Sequence, residues 1–157
     1  MRWNYVLAVV CAAGMAAGAV PAPWTPVTAK DGIVSTWGRT FAFASNALPV
    51  RVTSAGRDLL AGPMRIVCAD GKGEEIVWKK GGSWVQEATD EAVTVCAWQE
   101  ADILTADVTA RIEFDGMAKV SLALFPGPKG NRKDFSRAWL EIPLVSARAT
   151  LFNYTPA

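Results

Sequence analysis

Histidine is absent from this chain of 157 residues. Its absence removes Ser-His-Asp and Cys-His nucleophile systems from these residues, and with them the commonest zinc ligand. Cysteine is scarce, at three residues. Neither sign of charge is in excess, since 16 Lys and Arg stand against 15 Asp and Glu. There is no basic stripe to hold phosphates, so nucleic acid is not expected as a partner. No acidic or basic tail is present. No G-x-G-x-x-G or Walker pattern opens a helix, so no nucleotide site is indicated, and no cofactor or metal is expected. Long helical periodicity is missing too: the 3.6-residue apolar stripe never persists for three turns. What remains is apolar residues, at 51%, and seven tryptophans. That is material for a real core in a single domain.

The N-terminus reads as an export signal. Arg2 supplies a short positive region, Tyr5 to Ala19 is uncharged, and Ala17-Gly18-Ala19 places small residues at a cleavage site. Val20-Pro21-Ala22 offers a second site. A spanning helix needs about 20 apolar residues; this run is shorter and ends in Gly, Ala and Pro, so no stable membrane span is expected. A lipid anchor at Cys11 is disfavoured because Val10 stands where a small residue is needed. The expected organisation is a signal peptide over residues 1–19, an extended lead-in with three prolines over 20–31, and a β-sandwich over 32–157. The protein is then secreted or periplasmic after cleavage near Ala19. Two cysteines survive cleavage, Cys68 and Cys96. Outside the cytoplasm they can form one disulfide; lying in apolar segments, they can equally be buried free thiols.

Short alternating or apolar runs are divided by Gly, Pro, Asp and Asn. They predict strands at 32–37, 39–44, 48–53, 58–68, 74–79, 83–88, 92–99, 104–114, 117–125, 136–143 and 147–154. So many closely spaced strands specify an all-β, antiparallel sandwich or barrel. One hairpin can be read to the residue. Ala106, Val108, Ala110 and Ile112 alternate with polar neighbours, and on the return Ala118, Val120, Leu122 and Leu124 alternate with Lys119, Ser121 and Ala123. A two-residue Asp115-Gly116 turn would pair Ile112 with Lys119 and mix the faces. A three-residue loop, Phe114-Asp115-Gly116, pairs Ile112 with Ala118 and keeps one face dry. A second hairpin is predicted over 74–88, turning at Gly81-Gly82. The basic cluster of Lys129, Arg132 and Lys133 reads as a solvated loop.

Residues able to carry chemistry are few. Glycoside chemistry uses paired carboxylates, and the nearby sets are Glu74-Glu75, Asp90-Glu91 and Glu100 with Asp102. Adjacent acids on a strand point to opposite faces, and the others lie in polar stretches, so all read as solvated acids and no catalytic residue is assigned. Among the tryptophans, Trp78 and Trp84 flank the Gly-Gly pair. Packing in a core or at a domain interface is the plainer reading for both, and stacking on a carbohydrate is the functional one. Trp37, Trp98 and Trp139 lie in apolar runs and read as core.

Four stretches, in order, resemble one family: Thr36-Trp37-Gly38-Arg39 with Phe41-Ala42-Phe43; Leu48 to Gly56 running into Leu59-Leu60-Ala61-Gly62-Pro63; Ile112 to Met117; and Leu140 to Leu144. Together they are similar to the N-terminal β-sandwich domain of bacterial glycoside hydrolase family 123-like proteins, over residues 32–157. The resemblance implies a non-catalytic domain of a secreted N-acetylgalactosaminidase-like enzyme. The partner it implies is a C-terminal β/α barrel of the same full-length protein, which holds the catalytic Asp-Glu pair; the chain would be a fragment lacking that barrel. A glycan is the ligand such a context suggests. The alternatives are a free-standing carbohydrate-binding module and an envelope interaction protein.

Overall fold

The structure, a computed structural model, describes residues 20–130 and 135–149. The expected signal peptide, and most of the strand predicted at 147–154, lie outside the described residues. Among the described residues, eleven strands form three antiparallel sheets. A five-stranded meander comprises β1 (Thr28–Lys30), β2 (Ile33–Thr36), β3 (Arg39–Phe43), β4 (Pro49–Ser54) and β5 (Arg57–Asp58). A four-stranded sheet runs in the order β10-β9-β8-β7, from β7 (Lys80–Ala88), β8 (Ala92–Glu100), β9 (Leu104–Glu113) and β10 (Ala118–Pro126). The third sheet pairs β6 (Arg65–Asp70) with β11 (Phe135–Glu141). A 3-10 turn, Ser146–Arg148, opens the segment expected as the last strand. β1 falls inside the segment expected as lead-in.

The core lies between the sheets. Val34, Phe41, Leu48 and Val52 of the first meander pack with Val93, Val95, Ala97, Val108 and Ile112 of the four-stranded sheet, and with Ile66 and Cys68 of β6. This is the expected all-β sandwich. Period-two alternation generates it: in β9, Ala106, Val108, Ala110 and Ile112 are buried while the residues between them are not.

The β9–β10 hairpin has the register read from the sequence. Ile112 faces Ala118 and Ala110 faces Val120. The Glu113 amide donates to the Met117 carbonyl at 2.9 Å, closing a loop of Phe114, Asp115 and Gly116. Gly116 takes φ 83°, the left-handed conformation that only glycine adopts without strain. Asp115 Oδ1 accepts from the Met117 amide at 2.8 Å, and Arg39 Nη1 donates to the Gly116 carbonyl at 3.0 Å, tying the turn to the opposite sheet.

Two predicted elements are replaced. The strand expected at 58–68 is broken after β5: Gly62-Pro63 interrupts pairing, leaving one bridge, Leu60 to Leu144, before β6 begins. The hairpin expected at 74–88 does not form. Asp70 Oδ1 gathers the amides of Lys72 and Glu74 into a turn, and residues 74–79 keep only an isolated bridge, Ala69 to Glu75. β7 instead runs unbroken through Gly81-Gly82 and pairs with β8. These glycines serve close approach rather than a turn. A Cβ at Gly81 would lie 3.0 Å from the Trp98 carbonyl oxygen, and at Gly82 it would lie 3.5 Å from Trp98 Nε1.

Candidate functional site

The pairing register places the tryptophans. Trp84 of β7 lies directly opposite Cys96 of β8, and Gly82 lies opposite Trp98. Directly paired residues share a face, and side chains two apart along a strand share it too. Trp84 and Trp98 are therefore diagonal neighbours on the outer face of the four-stranded sheet, about 7–8 Å apart. They are 51% and 37% exposed. The missing side chain at Gly82 leaves room for the Trp98 indole.

The next strands continue the same rows. Asp107 of β9 faces Trp98, and Thr109 faces Cys96; beyond them Ser121 of β10 faces Thr109. A β-bulge between Val85 and Glu87 puts an extra residue, Gln86, on the strand. Its Oε1 accepts from the Cys96 thiol at 2.6 Å, and the Thr109 hydroxyl lies 3.7 Å from the same sulfur. The outer face thus presents two indoles and a row of hydroxyl and carboxylate groups. Two of its cations are engaged, Lys80 with Glu100 at 3.2 Å and Arg111 with Glu113 at 3.1 Å, while Lys119 stands opposite Arg111 on β10. Asp107 has no cationic partner among the described residues.

Trp84 also borders a cleft of about 250 Å³ at the seam between the two large sheets. Lys30, Asp31 and Gly32 rim it, and Ile33, Phe43 and Val85 contribute to its wall. The rim is a two-residue Asp31-Gly32 turn with both φ positive, joining β1 to β2 where Lys30 pairs with Ile33. Ser83 Oγ donates to the Ala44 carbonyl at 2.6 Å and holds the edge of β7 against the first meander.

The sequence expected Trp78 and Trp84 to stand together at a hairpin end, and the structure separates them. Trp78 precedes β7, packs against the core, and donates its indole N–H to the Ile66 carbonyl at 3.1 Å. The core reading of three other tryptophans is corrected as well. Trp37 occupies the two-residue turn between β2 and β3, Trp98 lies on the outer face, and Trp139 lies exposed on β11. Sequence reasoning missed Trp98 because β8 is apolar on both faces, which hides the alternation. The signal that could have found it is Gly82, a glycine inside a strand opposite an aromatic.

The disulfide considered for Cys68 and Cys96 is not formed. Both are free and buried, one on β6 and the other on β8, in different sheets. Burial pushes the Cys68 thiol up to about 11.

The carboxylate sets do not make an acid–base site. Glu75 pairs with Arg65 at 3.0 Å, Glu100 with Lys80, and Asp102 with Lys79 at 2.7 Å. The carboxyls that shift all move down: Asp58 by its hydrogen bond to Arg51, Asp102 by that to Lys79, and Glu141 by that to Arg65. A general acid needs the opposite shift. Among the described residues no cluster of three potential ligands could hold a metal ion, and no helix is long and apolar enough to cross a membrane.

No curated protein matches the sequence. A family described as glycoside hydrolase 123, third domain, matches residues 27–152. The description numbers the domain third, where the resemblance implied a first one. Its match covers the whole sandwich, and the chain belongs to this family of glycoside hydrolase 123 domains.

Proposed function

We propose that the chain is a non-catalytic accessory domain of a secreted, N-acetylgalactosaminidase-like glycoside hydrolase, and that its partner is a catalytic barrel in the same full-length protein. The observation that carries this reading is the family match over residues 27–152. Two structural features support it. The shifted carboxyls are held ionised by Arg and Lys, which suits surface ion pairs rather than a hydrolytic pair. Half-exposed aliphatic side chains, Val120 and Leu122 on β10, Leu140 on β11, and Ile142 and Leu144 beyond it, offer surface for packing against a larger module.

The test has two parts. The purified chain should show no turnover of an aryl N-acetylgalactosaminide. An antibody raised against it should deplete N-acetylgalactosaminidase activity from the secreted and envelope fractions of the source cells. Turnover by the chain itself, or activity left undiminished after complete removal of the chain, would overturn the reading.

A further inference from the structure

We propose that the outer face of the four-stranded sheet is a binding platform for a neutral glycan, centred on Trp84 and Trp98. The choice of sugar over other ligands rests on the glycosidase-associated reading above; the location and the charge preference rest on the face itself.

A pyranose presents a patch of C–H groups ringed by hydroxyls. It is matched by a flat aromatic surface beside hydrogen-bonding groups. The outer face supplies both. Two exposed indoles sit diagonally across β7 and β8, and Gly82 gives the Trp98 indole room on the sheet surface. The rows next to them carry Asp107, Thr109 and Ser121. A carboxylate accepts hydrogen bonds from two hydroxyls at once, and such charge-assisted bonds are the stronger kind.

Two other indoles already have their N–H groups engaged within the protein. Trp78 donates to Ile66 and Trp139 donates to Glu141. The indole N–H groups of Trp84 and Trp98 have no protein acceptor among the described residues and stay available to a ligand oxygen. Beside the indoles, Gly82, Cys96, Asp107, Thr109 and Ser121 carry no aliphatic side chain larger than a methyl; Ala123, opposite Asp107, and Phe125 are what β10 adds to this face. A protein partner is recognised through an apolar interface core, and that character belongs to Val120 and Leu122 of β10 on the other side of the sheet. Charge narrows the ligand further. Lys80 and Arg111 are neutralised by acids, and Lys119 stands opposite Arg111 on the far edge strand β10, whereas Asp107 faces Trp98 and is not paired. The field at the indoles therefore disfavours sulfated or uronic glycans.

The full chain would be screened on an array of neutral and anionic glycans, and hits measured by calorimetry alongside a sulfated chondroitin tetrasaccharide. The expected result is binding of at least one neutral glycan at about 1 mM or tighter, with the sulfated probe weaker. Trp84→Ala and Trp98→Ala should each lower affinity about tenfold or more, as truncation of a ligand-contacting aromatic does. Asp107→Asn should weaken binding several-fold. Trp84→Phe should retain part of the affinity, which separates lost stacking from lost folding, and Trp139→Ala should leave it unchanged. The proposal is overturned if no neutral glycan binds, if the sulfated probe binds more tightly, or if the Trp84→Ala, Trp98→Ala double variant binds as the parent does. Depletion of glycosidase activity without glycan binding would remove this face and leave the accessory role. Glycan binding without depletion would do the reverse.

Discussion

β9 and β10 form one hairpin, pair residue for residue, and carry the same alternation, yet they meet different surroundings. On β9 the inward side chains Val108, Ala110 and Ile112 are at most 1% exposed. Their partners Leu122 and Val120 on β10 are 42% and 39% exposed. Alternation decides which way a side chain points. Whether anything stands opposite it depends on how far the facing sheet reaches, and the first meander does not reach over β10. The hairpin therefore passes from a sealed core to an open aliphatic edge within one strand spacing, about 4.8 Å.

The largest effect expected follows from that contrast. Ile112→Ala removes side-chain volume from a fully buried position and should cost about 3–4 kcal/mol in urea unfolding. Leu122→Ala, on the neighbouring strand, should cost under about 1.5 kcal/mol, because much of its side chain is already in water. Equal losses at the two sites would break the comparison and show that β10 is covered in solution. Repeating the melt at tenfold dilution identifies self-association as the cover if the midpoint then falls.

A smaller effect is expected at the turn that joins the two strands. Gly116 has φ 83°, and a Cβ there would lie 2.9 Å from the Arg39 side chain. Gly116→Ala should cost about 1–3 kcal/mol, part of it recovered in an Arg39→Ala background. Recovery sharpens the comparison, since Arg39 belongs to the sheet that seals β9. An additive double variant would mean that the strain is purely conformational.

The same contrast explains what the sequence made legible. The hairpin register followed from period-two alternation and from one glycine, both local signals. The fold class followed from many such runs together. Residues 74–88 misled because Gly81-Gly82 is as good a turn signal as any, while the pairing with β8 that makes it a strand, with the Trp98 indole fitted against Gly82, is not local. The site was half legible for the same reason. Trp84 stands out because it flanks Gly81-Gly82, whereas Trp98 is masked by Val95, Cys96 and Ala97, an apolar run in which each face has its own reason for being apolar. Burial across sheets is long-range information, and short-range pattern cannot supply it.

The two cysteines carry the comparison between covered and open faces into pH dependence. Cys96 is tucked on the outer face, bonded to Gln86 and beside Thr109, while Cys68 is wholly buried in β6 at the core. Burial raises the Cys68 thiol from 9.0 to about 11. In the unfolded chain the thiol ionises near its ordinary value, while in the folded chain it stays protonated. The unfolded state therefore binds fewer protons over this interval, and stability falls with rising pH. The contribution is full below pH 9.0 and is lost as the pH climbs toward about 11. Urea midpoints measured between pH 8 and about 11 should decline, and Cys68→Ala, though less stable throughout, should flatten that decline. Cys68 should also resist iodoacetamide in the folded protein and react once urea unfolds it. An unchanged slope in Cys68→Ala would place the alkaline sensitivity elsewhere, and rapid alkylation of Cys68 in the native state would show that the β6 side of the core opens as readily as β10.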